Sequence, residues 1–165
     1  LWRRRYTAAE IDDRIAAIHA PYHDAVDVLL TSARARFGIA VLIDCHSMPP
    51  VTGPNLRERP DVVIGDRFGR SAQAGLTDRI ESIIAAQGFR TARNAPYAGG
   101  YTLDRHGRPE RGIHAVQIEI DRSLYLDRAL DRPDLGIDRI RSLFSILFDA
   151  LVDACDPRPT QMAAE

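Results

Sequence analysis

Apolar residues recur at helical spacing from near the start of the chain. Ile11, Ile15, Ile18, Tyr22, Val26, Leu29 and Ala33 fall three or four apart, which predicts an amphipathic helix over about 7–38. Thr7 and Glu10 have capping-box spacing at its start, and Gly38 supplies the stop. Pro21 interrupts the pattern. It has no N–H and its ring crowds the preceding turn, so a kink or two helices are expected.

The period then changes. Residues 39–43 are an unbroken apolar run rich in β-branched side chains, as in a strand buried on both faces. The run ends in Asp44, Cys45, His46 and Ser47, and a loop rich in Pro, Gly and Asn follows as far as Arg59. A second short strand is predicted over 61–65. Residues 72–87 form an amphipathic helix with Leu76, Ile80, Ile83 and Ile84 inward, closed by Gly88. A third strand falls at 89–92, and 94–112 is turn-rich and polar. Over 113–120 Ala115, Gln117 and Glu119 alternate with Val116, Ile118 and Ile120, which predicts a fourth strand. The stretch 138–155, with Leu143, Phe144, Leu147, Phe148 and Leu151, is a strongly apolar helix, and the last ten residues read as a frayed tail. Strands alternating with helices predict an α/β fold, its largely parallel or mixed sheet flanked by helices on both faces.

Composition narrows the picture. A length of 165 residues with 45% hydrophobic and 27% charged positions suits one domain, 1–165, with one core. No apolar run approaches the ~20 residues that span a bilayer. No charged-then-apolar leader points to export. Basic and acidic residues nearly cancel, at 22 against 23, so no footprint for nucleic acid is expected. Every basic residue is Arg, which removes Schiff-base and P-loop lysine chemistry. Two cysteines are too few for a disulfide scaffold, so a reducing cytoplasm is the default.

Four segments carry candidate chemistry. In DCHSMPP a strand delivers Asp44 and His46 to its carboxyl end, where open α/β sheets place ligands. Neutral imidazole is a good zinc ligand and Asp44 is able to orient it; the competing reading is a His that caps a turn. In HAVQIEIDRS, Glu119 points either to solvent or into a site beside the sheet, where it is placed as a general base. In NAPYAGGYT, Gly99 and Gly100 permit close backbone approach and Tyr97 adds a phenol, although a flexible surface turn reads equally well. In GDRFGRS, Arg67 or Arg70 has the fork that clamps a carboxylate, against the commoner surface pair with Asp. His19 and His23 are four apart with no Glu between them, and solvent exposure is expected for both. Ser47 lacks a nucleophile-elbow sequence, and Cys45 faces away from His46.

Taken in order, DCHSMP, GDRFGRS, NAPYAGGY and HAVQIEIDRSLYLD resemble the N-formylglutamate amidohydrolase family, from the WRRRYTAAEI opening to about Leu126. The resemblance implies a phosphorylase/hydrolase-like fold of the group that holds zinc carboxypeptidases and aspartoacylases. It implies a divalent metal, zinc by preference, with His46 as a ligand and Glu119 as the catalytic base. Arg67, Asn94, Tyr97, Gly99 and Gly100 would bind substrate. The implied reaction is deformylation of an N-formyl amino acid such as N-formyl-L-glutamate, a step of histidine degradation. The partner is then a small molecule, with neither nucleic acid nor membrane, and the oligomeric state is left open. In that group the first two metal ligands, a His and an acidic residue, precede the Trp-Arg-Arg motif, which opens here at Trp2. The chain is therefore read as the C-terminal portion of a longer amidohydrolase domain, its N-terminal segment missing. An exopeptidase or N-acyl amino acid deacylase of the same fold, and a truncated binding module without catalysis, are the competing readings.

Overall fold

Thr7 opens the first helix as its spacing predicts. The structure, a computed structural model, describes residues 4–52 and 59–155. The start of the WRRRY opening, the middle of the loop before Arg59 and the predicted frayed tail lie outside the described residues. Thr7 Oγ1 accepts from the Glu10 N–H at 3.2 Å while the Glu10 carboxylate accepts from the Thr7 N–H at 2.9 Å. Helix α1 (Ala8–Arg14) and α2 (Ala20–Phe37) are joined through a π turn, Ile15–His19, so Pro21 does not break the rod. The Ala20 N–H reaches back to the Ile15 carbonyl, and this wider turn absorbs the proline ring and its missing donor. Gly38 ends α2 at a φ of +81°, which favours glycine.

The face predicted to be inward is instead open. Ile18 is 69% and Leu29 70% exposed, and Ile11, Ile15 and Tyr22 are also exposed. The helix is correct and its burial is not, because α2 turns the adjoining face, with His23 and Leu30, to the protein. His23 is therefore a correction: it is 4% exposed, not solvated. Its Nδ1 lies 2.8 Å from His106 Nε2, and His106 Nδ1 lies 2.9 Å from Asp27 Oδ1. A carboxylate only accepts, so His106 donates from Nδ1; a neutral His106 then accepts a hydrogen bond at Nε2 from His23 Nδ1–H.

The sheet runs β1-β4-β2-β3. Strand β1 (Ala40–Met48) pairs parallel with β4 (Ile113–Asp121) along its full length. Strand β2 (Val62–Gly65) pairs antiparallel with β4 and parallel with β3 (Thr91–Arg93). The sheet is thus mixed. Strand β1 does not stop at Ile43, because β4 offers it partners as far as Met48, and Asp44 and His46 lie within the strand.

One face of the sheet carries the core. Val62, Ile64, Val116, Ile118 and Ile120 pack against Ile80 and Ile84 of α3 (Ala74–Ala86). Leu143, Leu147 and Leu151 of α5 (Gly136–Cys155) complete the layer. The other face meets α4 (Tyr101–His106), a short helix inside the segment predicted to be only turns. Among the described residues no helix is long and apolar enough to cross a membrane.

His114, on the core face of β4, accepts at Nδ1 from the Gln73 N–H at the start of α3, at 3.3 Å. Burial pushes its pKa down, and burial with neighbouring His19 does the same to His23. Both folded values then lie below the unfolded value of about 6.5. The associated stability is complete above that pH and is lost as pH falls through the folded values. The urea midpoint should accordingly fall on acidification from about pH 7 to 5. His114→Asn, which keeps an acceptor near Nδ1 and removes the titration, should reduce that fall; an unchanged pH dependence would exonerate His114.

Candidate active site

Register places the two principal candidates side by side. His46 of β1 is paired with Glu119 of β4, so both side chains stand on the same face near the carboxyl ends of parallel strands. Asp44, two residues back, shares that face, and its Oδ1 lies 3.1 Å from His46 Nε2. With the proton on Nε2 donated to Asp44, Nδ1 keeps a free lone pair. Cys45 faces the other way, and desolvation and then Asp44 hold its thiol above the ordinary value. His46 is about half exposed whereas Glu119 is only 6% exposed. Burial pushes the Glu119 pKa up; neighbouring His46 and the hydrogen bond from Gln117 oppose this.

Gln117 was not singled out by its sequence context. Its Nε2 donates to Glu119 Oε1 at 2.8 Å, and its Oε1 accepts from the Gly100 N–H at 3.1 Å. Gly100 is the N-cap of α4, and its carbonyl makes a long 3.5 Å contact with Arg67 Nη1. The Arg67 guanidinium also pairs with Asp104 at 2.7 Å. Gly65 permits this assembly: a Cβ there would lie 2.7 Å from the Ala98 carbonyl carbon. Gly99 has a φ of +103° beside Leu103, and Tyr97 is half-buried on the same loop.

The turn that presents Arg67 is conformationally expensive. Arg67 and Phe68 have φ of 55° and 57°, a region that side-chain-bearing residues rarely enter. A polar knot holds it. Asn94 Oδ1 accepts from the Asp66 and Phe68 N–H groups at 3.0 and 3.3 Å, and Asn94 Nδ2 donates to Asp66 Oδ1 at 2.8 Å. Buried Asp66 also accepts from the Gly69 N–H and the Thr77 hydroxyl. Most of Asn94's hydrogen-bonding capacity therefore serves the turn, leaving one amide hydrogen for a ligand. Arg122 is also engaged, donating from Nε and Nη2 to the hydroxyl and carbonyl of Ser47 at 3.2 and 3.3 Å. The signals for this missed structure were a buried-strand Gln two residues from Glu119 and an Asp immediately after β2.

Among the described residues no group of three His, Cys, Asp or Glu side chains converges to hold a metal ion. His46 with Asp44 and Glu119 does not by itself fit a closed cation site. A cavity of about 270 Å³ touches His46 from the α5 side, where Ile120, Ile140 and Phe144 line it. A larger hollow of about 720 Å³ lies along α1, lined by Tyr6, Ile11, Ile15, Ile18 and His19.

An open mixed sheet that sets an imidazole beside a buried, hydrogen-bonded carboxylate defines an α/β protein with the groups of a hydrolytic site. A family model described as N-formylglutamate amidohydrolase matches residues 1–126. The chain belongs to that family. The N-formylglutamate deformylase of Pseudomonas aeruginosa is 34% identical over 144 residues, covering 84% of this chain and 53% of the relative. The deformylase of Pseudomonas putida is 34% identical over 113 residues, covering 67% of this chain and 42% of that protein. The crystal structure of N-formylglutamate amidohydrolase from Ralstonia eutropha matches with a TM-score of 0.79 at 31% identity, over 93% of this chain and 57% of that one. The chain thus spans about half the length of the relatives it matches.

The polar knot makes a stability prediction. Asn94→Ala strands two N–H groups and should cost about 1–3 kcal/mol in a urea titration. Asn94→Gly, which relieves the positive φ but lacks the amide, should lose most of the same. Wild-type stability in the Gly variant would show that conformation, not hydrogen bonding, selects Asn94.

Proposed function

We propose that the full-length protein containing this chain hydrolyses the formamide of an N-formyl amino acid, with N-formyl-L-glutamate as substrate. The observation that carries the reading is Glu119, a buried carboxylate held by Gln117 and paired in register with His46. The Pseudomonas relatives, deformylases by name, support the choice of substrate. Because Gln117 occupies Oε1, Oε2 is left to face water. Water adds to the formyl carbon as Glu119 takes its proton. The proton then passes to the amide nitrogen, the C–N bond breaks, and formate and free amino acid leave.

A substrate carboxylate needs a cation, and the chain has no Lys. Arg67 is the proposed clamp. Its present partner Asp104 has a 59% exposed side chain, so the pair is weak enough for a substrate carboxylate to displace it. Tyr97, Gly99 and Gly100 would line the pocket, with Asn94 behind them. A divalent cation, zinc by the chemistry of an imidazole donor, is proposed at His46, which would give it one donor. The reading also includes a reducing cytoplasm, supported by the low cysteine content, and a place in histidine degradation.

Two variants of the full-length protein test it. Glu119→Gln keeps the shape and removes the basicity, so kcat should fall by about 10²–10⁴ while substrate affinity stays near wild type. Full turnover in this variant would remove Glu119 from the chemistry. Arg67→Ala should raise KM by roughly one to two orders of magnitude, from about 1.5–3 kcal/mol per charge-assisted hydrogen bond. An unchanged KM with lowered stability would make Arg67 a structural pair-former with Asp104.

A further inference from the structure

Position 117 is 6% exposed on a central strand, where an apolar residue would be the expected choice. A buried amide is costly unless both of its ends are bonded. Here both are, and their identities are not interchangeable. The Gly100 N–H is able only to donate, so the oxygen of Gln117 must face it. The Nε2 group is thereby aimed at Glu119 Oε1. An apolar side chain would leave the Gly100 N–H and one Glu119 oxygen without these partners.

Gly100 is itself held in place. It is the N-cap of α4, whose far end is fastened to α2 through His106, Asp27 and His23. Arg105 of α4 adds an ion pair with Asp24 of α2 at 3.3 Å. A continuous chain of contacts therefore runs from α2 through α4 and Gly100 to Gln117, and from there to Glu119. The same Gly100 touches Arg67, the proposed carboxylate clamp, through its carbonyl.

We infer that Gln117 is a positioning residue that couples the backbone of the Gly99–Gly100 loop to the carboxylate of Glu119. The loop that receives the substrate and the base that takes the water's proton are thus set by one amide. The inference rests on the reading of Glu119 as the base. Gln117 touches neither water nor substrate in this role; it selects which Glu119 oxygen is free and where that oxygen points.

The test is a double-mutant cycle in the full-length protein, with deformylation kinetics and thermal melting measured on every variant. Gln117→Met keeps length and removes both hydrogen bonds. It should lower kcat roughly tenfold to a hundredfold with KM within about twofold, the pattern of a misplaced catalytic group rather than a lost binding contact. Combined with Glu119→Gln, it should lower kcat no further than Glu119→Gln alone. Gly100→Pro breaks the same contact from the loop side: it deletes the donor and puts a ring carbon where the amide hydrogen met Gln117 Oε1, at a φ of −96° outside the ring's usual range of about −65 ± 15°. It should reproduce the kcat loss, and together with Gln117→Met the two losses should not add. If Gln117→Met fails to melt cooperatively, Gly100→Pro carries the comparison. Wild-type kcat in both folded variants, equal losses with and without Glu119, or a rise in KM alone would overturn the inference. Full activity of Glu119→Gln would overturn the reading of the base and this inference with it. Loss of activity in Glu119→Gln with none in Gln117→Met would overturn the inference alone.

Discussion

The structure depends on β4 being buried on both faces. Residues 114–121 are all buried, with β1 on one side, β2 on the other and helices above and below. A strand in that position presents apolar side chains to one layer without penalty, and Val116, Ile118 and Ile120 do so. On the other face it presents Gln117 and Glu119, and a buried polar group must find partners. The neighbourhood is organised by that requirement. The Gly-Gly loop closes down to give Gln117 a donor, and Gln117 in turn gives one to Glu119. His46 arrives alongside because β1 follows β4 in register to the end.

The second constraint is the 66–70 turn. Successive positive φ values are unfavourable for residues with side chains, and they persist only where the surroundings over-determine them. Asp66, Asn94 and Thr77 provide that surplus with short, mutually satisfied hydrogen bonds. The result is a rigid mount for a flexible residue. Arg67 extends from it to a long contact with the Gly100 carbonyl and an ion pair with a solvent-exposed carboxylate, whereas Arg93 and Arg90 are forked onto Glu81 and Asp61. A chain with Arg but no Lys has many planar forks, and it is the partner of each that separates a structural fork from an available one.

Legibility from sequence divides along the distance over which each feature is decided. The helices at 8–37, 74–86 and 136–155 and the four strands were readable because hydrophobic period and glycine stops act within a few residues. The placement of Glu119 on a strand and of His46 at the carboxyl end of one was readable for the same reason, as was the opposite facing of Cys45. What the sequence could not determine was set by pairing. The extension of β1 through Asp44 and His46 follows from the length of β4, a partner some seventy positions away. The antiparallel seam between β4 and β2 made the sheet mixed, and local pattern carries no direction. His23 looked like a surface residue on an amphipathic helix, and the arrival of Tyr101 and of His106, across 83 positions, buried it. Gln117 looked like one more alternating polar residue. Its role exists because a backbone N–H seventeen positions earlier folds back onto it, and hydrogen bonds between distant groups leave no trace in local periodicity.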